Sequence, residues 1–475
     1  MATLSNCRSS EEGEEGKERM KRICINIPQA INEDGVTFYC ISMTSGKVSW
    51  SFRRRYKDFF EVHETLVGLD FTEKETLPPK KFLGSKDPAF ILKRRRDLES
   101  YIRSLLEKEA KASLPQCLVD FLELSLYDVD YILTDLAASK AFFEIQPDFI
   151  ERWNPLQLHA ISHRLKTPRP SIDLGSTKYD FAHLVDYTRH LSNLHVKGSN
   201  DPHGASNIIP NTLIIDFVAF KSLVYLRLEK IDVKCLESLG TIKDTLVELA
   251  VNHCPSLSSI GKILLCDDFV EERNEDILRR EHLKWKNLKK LDLRYNAISE
   301  IDLSLMTAPG ITTLNLGHNH LSTVENLTCL PHLDILDLSF NNIKSVTDLH
   351  AKLGQTREIN LSGNQITDLD GFSRLFSLMR LSICDNKLRE LEAILCISSL
   401  PCLEFINLQG NSVTSVVDYR LKVLESFGKR CPEITLDTEL ASQQEIDKVS
   451  VLMALRVARE GKSPTSLFGN LPRKV

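Results

Sequence analysis

The chain has 475 residues, 42% of them hydrophobic and 26% charged, with a formal net charge of −5. This is the composition of a folded protein with more than one core, since a domain usually takes ~100–200 residues. No stretch approaches the ~18 consecutive apolar residues of a membrane span, and the twelve cysteines form no C-x-x-C pair or Cys/His cluster that would hold zinc.

Residues 1–17 read as a disordered acidic terminus. Their Glu11–Glu18 run lacks the apolar core of a secretory signal, so a cytoplasmic chain with reduced thiols is expected. From Arg22 to Phe52 the sequence alternates as three paired strands. Ile23, Ile25 and Ile27, then Val36, Phe38 and Cys40, then Val48, Trp50 and Phe52 are expected on the apolar face, with turns at Glu33-Asp34-Gly35 and Ser45-Gly46. Arg55-Tyr56-Lys57-Asp58-Phe59 then opens a helix whose Phe59, Val62 and Leu66 share a face. An extended turn, Leu77-Pro78-Pro79-Lys80-Lys81, separates it from a second helix carrying Lys93–Arg96 ahead of Leu98, Ile102, Leu105 and Leu106.

Between Arg53 and Arg96 there are 12 Lys/Arg against 7 Asp/Glu, a local +5 that leaves −10 on the remainder. A basic region in an acidic chain suits an anionic partner: nucleic acid, an import receptor reading Lys93–Arg96, or a lipid headgroup. The order of the elements favours the last. The R-Y-x-D-F segment at Arg55–Phe59, the Pro-Pro-Lys turn, and Arg94 placed four residues before Leu98 together resemble the phox-homology (PX) family over residues 18–128. Planar guanidinium forks suit phosphate oxygens. The resemblance implies that Arg55 holds the 3-phosphate of phosphatidylinositol 3-phosphate, that Tyr56 supports the inositol ring, that Lys80 meets the 1-phosphate and that Arg94 bonds the ring hydroxyls. Lys81, Phe82 and Leu83 would touch the bilayer, while Arg95 and Arg96 are expected in solvent. Lys57 stands where the motif often has a small polar residue, which bears on headgroup preference.

Residues 129–211 read as a helical connector, with Ile132, Leu136, Phe142, Phe143, Ile145, Leu156, Leu158 and Ile161 in amphipathic spacing. A solenoid is expected over residues 212–435. Asn296, Asn319, Asn341, Asn364, Asn386 and Asn411 recur at spacings of 23, 22, 23, 22 and 25, each preceded by the apolar pattern of a leucine-rich repeat, as in Leu288/Leu291/Leu293/Asn296. These asparagines are expected to be structural, satisfying backbone groups where the chain leaves each strand. Leu223/Leu226/Leu228 and Leu246/Leu249/Val251 are degenerate early repeats, and the acidic stretch Asp267–Asp276 reads as an exposed insert. Asp418-Tyr419-Arg420 and the run to Phe427 resemble a repeat cap, followed over residues 436–475 by an amphipathic helix, Gln444–Glu460, and a flexible tail. The fold class is therefore multidomain: an α+β PX-like domain followed by an α/β leucine-rich-repeat solenoid. On the concave strand positions, Ile335 and Phe405 are large apolar groups and Arg294 and Arg380 are cations, so these four are the candidate protein-binding face.

A PX-like module followed by short leucine-rich repeats, with the segments Asn154–Leu158 and Ser399–Leu403, resembles the nischarin-like family. The resemblance implies an endosomal scaffold, peripheral on early and recycling endosomes, with Rac-type GTPases or p21-activated kinases as partners and a role in cell migration. Integrin-tail binding, housed in the C-terminal extension of longer relatives, is not carried over. No Gly-rich phosphate loop, G-x-S-x-G elbow or H-E-x-x-H is present, so no enzyme, cofactor, metal site or nucleic-acid partner is expected. The competing reading is a cytosolic or nuclear phosphatase-regulator type of repeat subunit whose basic cluster is an import signal.

Overall fold

The computed structural model describes residues 23–80, 87–110, 114–140, 149–166, 181–266 and 275–460. They fall into two compact units. The first is built from the chain up to residue 144 together with 154–188 and 199–215, and the second from 145–153, 189–198 and 216 onward.

The first unit opens with an antiparallel meander, β1 (Ile23–Glu33), β2 (Val36–Ser45) and β3 (Val48–Arg55). Its first turn is a two-residue hairpin with Asp34 and Gly35 both at positive φ, the geometry that follows the twist of the strands. Trp50 pairs with Met43 and Phe52 with Ile41, so the buried apolar residues of β2 are Tyr39, Ile41 and Met43. The expected phase of β2 was one residue off, because apolar side chains stand on both of its faces and cross-strand partners choose between them.

Two helices follow, α1 (Tyr56–Gly68) and α2 (Pro88–Leu106), the latter started by Asp87 as N-cap and Pro88 at the first turn. Helix α2 buries Leu98, Ile102 and Leu105 and is tied to β1 by polar contacts as well. Glu99 accepts from Ile27 N at 2.9 Å, and Arg103 donates to the Ile25 carbonyl at 3.1 Å. Short helices α3 (Gln116–Phe121) and α4 (Leu124–Tyr127) close the sheet face, and α5 (Val129–Lys140) packs on α6 (Pro155–Lys166).

A later segment completes this unit. Ser51 N donates to Ala205 O at 3.0 Å and Asn207 N to Ser49 O at 2.9 Å, so residues 205–207 lie along the free edge of β3. The Asn207 side chain adds two bonds, accepting from Ser49 N and donating to the Lys47 carbonyl. An open strand edge is thereby covered.

The second unit is the solenoid. Its twelve strands are hydrogen-bonded in chain order, parallel up to the antiparallel last pair: β4 (Glu151–Trp153), β5 (Asn193–Lys197), β6 (Tyr225–Glu229), β7 (Glu248–Asn252), β8 (Lys290–Asp292), β9 (Thr313–Asn315), β10 (Ile335–Asp337), β11 (Glu358–Asn360), β12 (Arg380–Ser382), β13 (Phe405–Asn407), β14 (Thr435–Leu436) and β15 (Glu439–Leu440). The sheet thus begins at Glu151 rather than near residue 212. Strands β4 and β5 fall inside the segment expected to be a helical connector, because three to five residues with two buried side chains are too short to show a period. Phe142, Phe143 and Ile145 lie outside the described residues.

The asparagines form a continuous ladder. Asn319 accepts from Ile298 N at 3.0 Å and donates to the carbonyls of Leu293 and Leu316, and the same pattern recurs at Asn341, Asn364, Asn386 and Asn411. Asp437 continues it at the cap, accepting from Leu408 N at 2.8 Å and from the Tyr419 hydroxyl at 3.0 Å. Arg420 then locks the cap by bonding Glu445 and the Leu436 carbonyl, both at 2.7 Å, which joins the helix Tyr419–Ser426 to the terminal helix Gln443–Glu460.

Candidate functional site

The chain leaves β3 at Arg55, which caps α1 in an extended conformation (φ −90°, ψ 161°). Asp58 accepts from Arg55 N at 2.7 Å and lies 3.5 Å from the guanidinium, holding the half-exposed side chain at the start of the helix. Of the three consecutive arginines, Arg55 is the one presented at the helix N-terminus, where anions are favoured. Arg54 is structural: it lies over the rings of Phe52 and Phe121 and bonds Phe121 O and Glu123, both at 2.9 Å. Arg53 pairs with Glu33 at 2.8 Å.

Tyr56 donates its hydroxyl proton to the Pro78 carbonyl at 2.5 Å, and Arg94 Nη2 donates to the Pro79 carbonyl at 3.2 Å. The diproline turn therefore gathers a residue of α1 and a residue of α2. Arg94 is 93% buried, with its guanidinium carbon 4.3 Å from the ring centroids of both Tyr56 and Phe90. Its Nε has no hydrogen-bond partner among the described residues. Burial pushes the Tyr56 hydroxyl up, opposed by the Arg94 charge, and Tyr39 is raised by burial against the same charge. Arg94 is thus a buried cation between two aromatic rings with a donor, Nε, that no described residue accepts.

Tyr56 and Arg94 are thus brought together, Arg55 adjoins Tyr56 in the chain, and Lys80 is exposed directly after the diproline turn. Lys81, Phe82 and Leu83 lie outside the described residues. Arg95 departs from expectation: its Nη1 bonds the carbonyls of Ile27 and Pro28 at 2.7 and 2.6 Å, where the β1–β2 register shifts. Both carbonyls stand where the register is interrupted, and the arginine supplies each with a donor. Arg96 is exposed.

On the solenoid, Ile335, Glu358, Arg380 and Phe405 stand in one register row across β10 to β13. The Arg380 guanidinium carbon is 4.4 Å from the Phe405 ring centroid, its Nε lies 3.8 Å from Glu358 Oε2, and Ile335 is 37% exposed. Arg294 does not join them. It lies four residues beyond Lys290, which holds the equivalent row position, and is committed to Asp292 through Nε and through Nη2 at 2.7 Å. Sequence reasoning also missed a stack of rings, His253, Tyr295, His318 and Phe340, with successive centroids 4.6, 4.1 and 4.3 Å apart. Each precedes the asparagine position of its repeat and has φ between 54° and 58°. An aromatic recurring at that one position in successive repeats was the available signal.

The PX domain family matches residues 42–125, and the leucine-rich repeat family matches residues 286–343 and 309–366. The chain carries a PX domain followed by leucine-rich repeats. The geranylgeranyl transferase type-2 subunit alpha of Mus musculus is 31% identical over 134 residues, covering 28% of this chain and 24% of that protein. The serine/threonine-protein kinase 11-interacting protein of Gallus gallus is 26% identical over 251 residues, covering 50% of this chain and 22% of that protein. The match to these relatives thus spans about a quarter of their length. Internalin C2 from Listeria monocytogenes is similar over 36% of this chain and 66% of its own, at 21% identity and a TM-score of 0.27. The PX domain match encloses Arg55, Tyr56, Lys80 and Arg94, so the four candidate headgroup residues belong to one module. PX domains and leucine-rich repeats are binding modules, and among the described residues no helix is long and apolar enough to cross a membrane.

Proposed function

We propose that this protein is a phosphoinositide-dependent scaffold: its PX domain binds phosphatidylinositol 3-phosphate on endosomal membranes and its solenoid holds a signalling protein. The arrangement that carries the lipid reading is Arg94, buried, stacked on Tyr56 and tied to the Pro79 carbonyl. In this reading Arg55 holds the 3-phosphate, Tyr56 backs the inositol ring, Lys80 meets the 1-phosphate and Arg94 donates to ring hydroxyls, while Lys81, Phe82 and Leu83 meet the bilayer. A Rac-type GTPase or a p21-activated kinase is the proposed protein partner, on the row Ile335, Arg380 and Phe405. A kinase partner is also in keeping with one relative being named for its interaction with a kinase.

Flotation of the full chain with vesicles containing phosphatidylinositol 3-phosphate, 4-phosphate or unphosphorylated phosphatidylinositol tests the lipid reading. Removing one charged fork costs ~1.5–3 kcal/mol, so Arg55→Ala should weaken binding by about tenfold or more. A folded Arg55→Ala variant that floats as the wild type does would remove Arg55 from the headgroup. Absence of flotation on every phosphorylated vesicle would leave the import-signal reading of Lys93–Arg96.

A further inference from the structure

The concave face of the solenoid carries its charges unevenly. On β7 and β8 the cations are matched one to one, Lys290 with Glu248 at 3.2 Å and Arg294 with Asp292 at 2.7 Å, and further along Arg380 faces Glu358. The first three strands differ. Arg152, His195 and Arg227 stand in one register row on β4, β5 and β6, with Lys197 and Glu229 paired two residues further on. Among the described residues Glu229 serves this group: His195 and Lys197 lie 3.6 Å from it and Arg227 4.0 Å. Burial pushes the Glu229 carboxyl up, but Lys197, Arg227 and the neighbouring histidines more than reverse this, so it is ionised and already shared. Arg152 has no carboxylate partner among the described residues, and Arg227 Nε is buried without a hydrogen-bond acceptor. Among the described residues, the three permanent cations of these strands thus have one carboxylate in ion-pair reach, and it serves Lys197 and Arg227 but not Arg152. The side chains of Lys197 and Arg227 are 64% and 40% exposed.

We propose that this concave patch, Arg152, Lys197 and Arg227 around Glu229, is a docking site for an acidic peptide segment of a partner protein. Charge complementarity sets the sign of the ligand. Shape sets its class, because a bilayer is flat and cannot follow a concave sheet. Neighbouring strands are ~4.8 Å apart, which puts Arg152 and Arg227 ~10 Å apart, about three residues of extended chain at ~3.3 Å each. A peptide in polyproline-II conformation, three residues per turn at ~3.1 Å each, can therefore set carboxylates three residues apart at the two arginines. Tyr225, half-buried and two residues before Arg227, offers a flat apolar contact beside the charges. This site lies at the opposite end of the strand order from Arg380 and Phe405 and depends on neither that row nor the lipid reading.

The test is fluorescence anisotropy of the full chain with a labelled peptide carrying glutamate at every third position with serine between, and with its glutamine counterpart, at near-physiological salt. The glutamate peptide should bind saturably and the glutamine peptide should not. The double variant Arg152→Gln/Arg227→Gln is chosen because it places no new charge beside Glu229, and it should weaken binding by about tenfold. Arg380→Gln and Arg55→Ala should leave it unchanged. Equal binding of both peptides, wild-type affinity in the double variant, or a loss that follows Arg55 instead would each overturn the proposal. So would phosphatidylserine vesicles whose capture depends on Arg152 and Arg227, because the patch would then face a membrane.

Discussion

Arg94 lies over Tyr56, its guanidinium carbon 4.3 Å from the ring centroid, while each of the two residues bonds a different carbonyl of the same diproline turn. The turn is therefore positioned by the same side chains that would meet the headgroup. Arg94→Lys keeps the charge but loses the planar fork and the stacking. It is expected to lower flotation on 3-phosphate vesicles by about tenfold and also to lower the unfolding midpoint of the PX domain, whereas Arg96→Ala, at an exposed position, should do neither. Tyr56→Phe keeps the ring and loses only the bond to Pro78, a change of ~0.5–1.5 kcal/mol that urea unfolding can read.

Arg95 gives a contrasting prediction one residue along. Because its Nη1 supplies the carbonyls of Ile27 and Pro28, Arg95→Ala should destabilise the PX domain by about 1–3 kcal/mol through the acceptors it orphans. Lipid affinity per folded molecule should hardly change. Flotation normalised to the folded fraction measured by circular dichroism separates the two effects, and a loss of affinity without a loss of stability would contradict this assignment.

Gly204 governs the segment that covers β3. Its φ is +57°, and a Cβ there would stand 2.3 Å from the Tyr127 hydroxyl, whose ring stacks on Trp50 at 5.5 Å. Gly204→Ala is expected to displace Tyr127 and cost ~1–3 kcal/mol, with a change in the emission of Trp50. Asn207→Ala, which removes two side-chain bonds but leaves the ring stack, should cost less and leave that emission unchanged.

The repeats were legible because one-dimensional periodicity writes itself into sequence: the position of Leu338 or Asn341 is defined by copies on either side. The meander and both PX helices were legible from local apolar alternation and helical spacing, and a short motif marked Tyr56 and Arg94, which the diproline turn brings together. What escaped were pairings between distant parts of the chain. Asn207 meets Ser49 across 158 residues, and nothing local to either residue announces it. Arg95 looked like its exposed neighbour Arg96 because helical phase alone does not tell which side chain reaches a strand irregularity. Strands β4 and β5 lacked enough residues to show alternation. The excess charge around Glu229 exists only once three strands are laid side by side.

The ladder makes a quantitative comparison possible within one repeat. Asn341 accepts from Leu321 N at 2.9 Å and donates to the carbonyls of Leu316 and Leu338, both at 3.0 Å, in a buried position. Asn341→Ala orphans several backbone groups at ~1–3 kcal/mol each, while Leu338→Ala costs ~2–5 kcal/mol in lost contact and cavity. The polar substitution is therefore expected to be at least as damaging as the apolar one when both are unfolded in urea. A much smaller effect of Asn341→Ala would mean that water replaces the amide.

The ring stack carries a pH dependence. His318 lies between Tyr295 and Phe340, and its pKa is lowered from the ordinary histidine value by burial, with Arg294 and His253 acting in the same direction and Asp337 against them. The unfolded chain therefore binds this proton more readily than the folded one, and stability is full above the unfolded pKa of ~6.5 and falls as pH drops through the folded value. His195, lowered by burial and by Arg227, adds to the slope with the same sign. His318→Phe keeps a ring in the stack and removes the titration. Its urea midpoint should fall less than that of the wild type between about pH 7.5 and pH 5.5, a window that straddles the histidine pKa, while His253→Phe, at the stack's first ring, should raise the His318 pKa in an NMR titration. A His318 resonance titrating above the ordinary histidine range would show that the flanking rings, through cation–π attraction, outweigh desolvation, and would reverse the sign of the predicted slope.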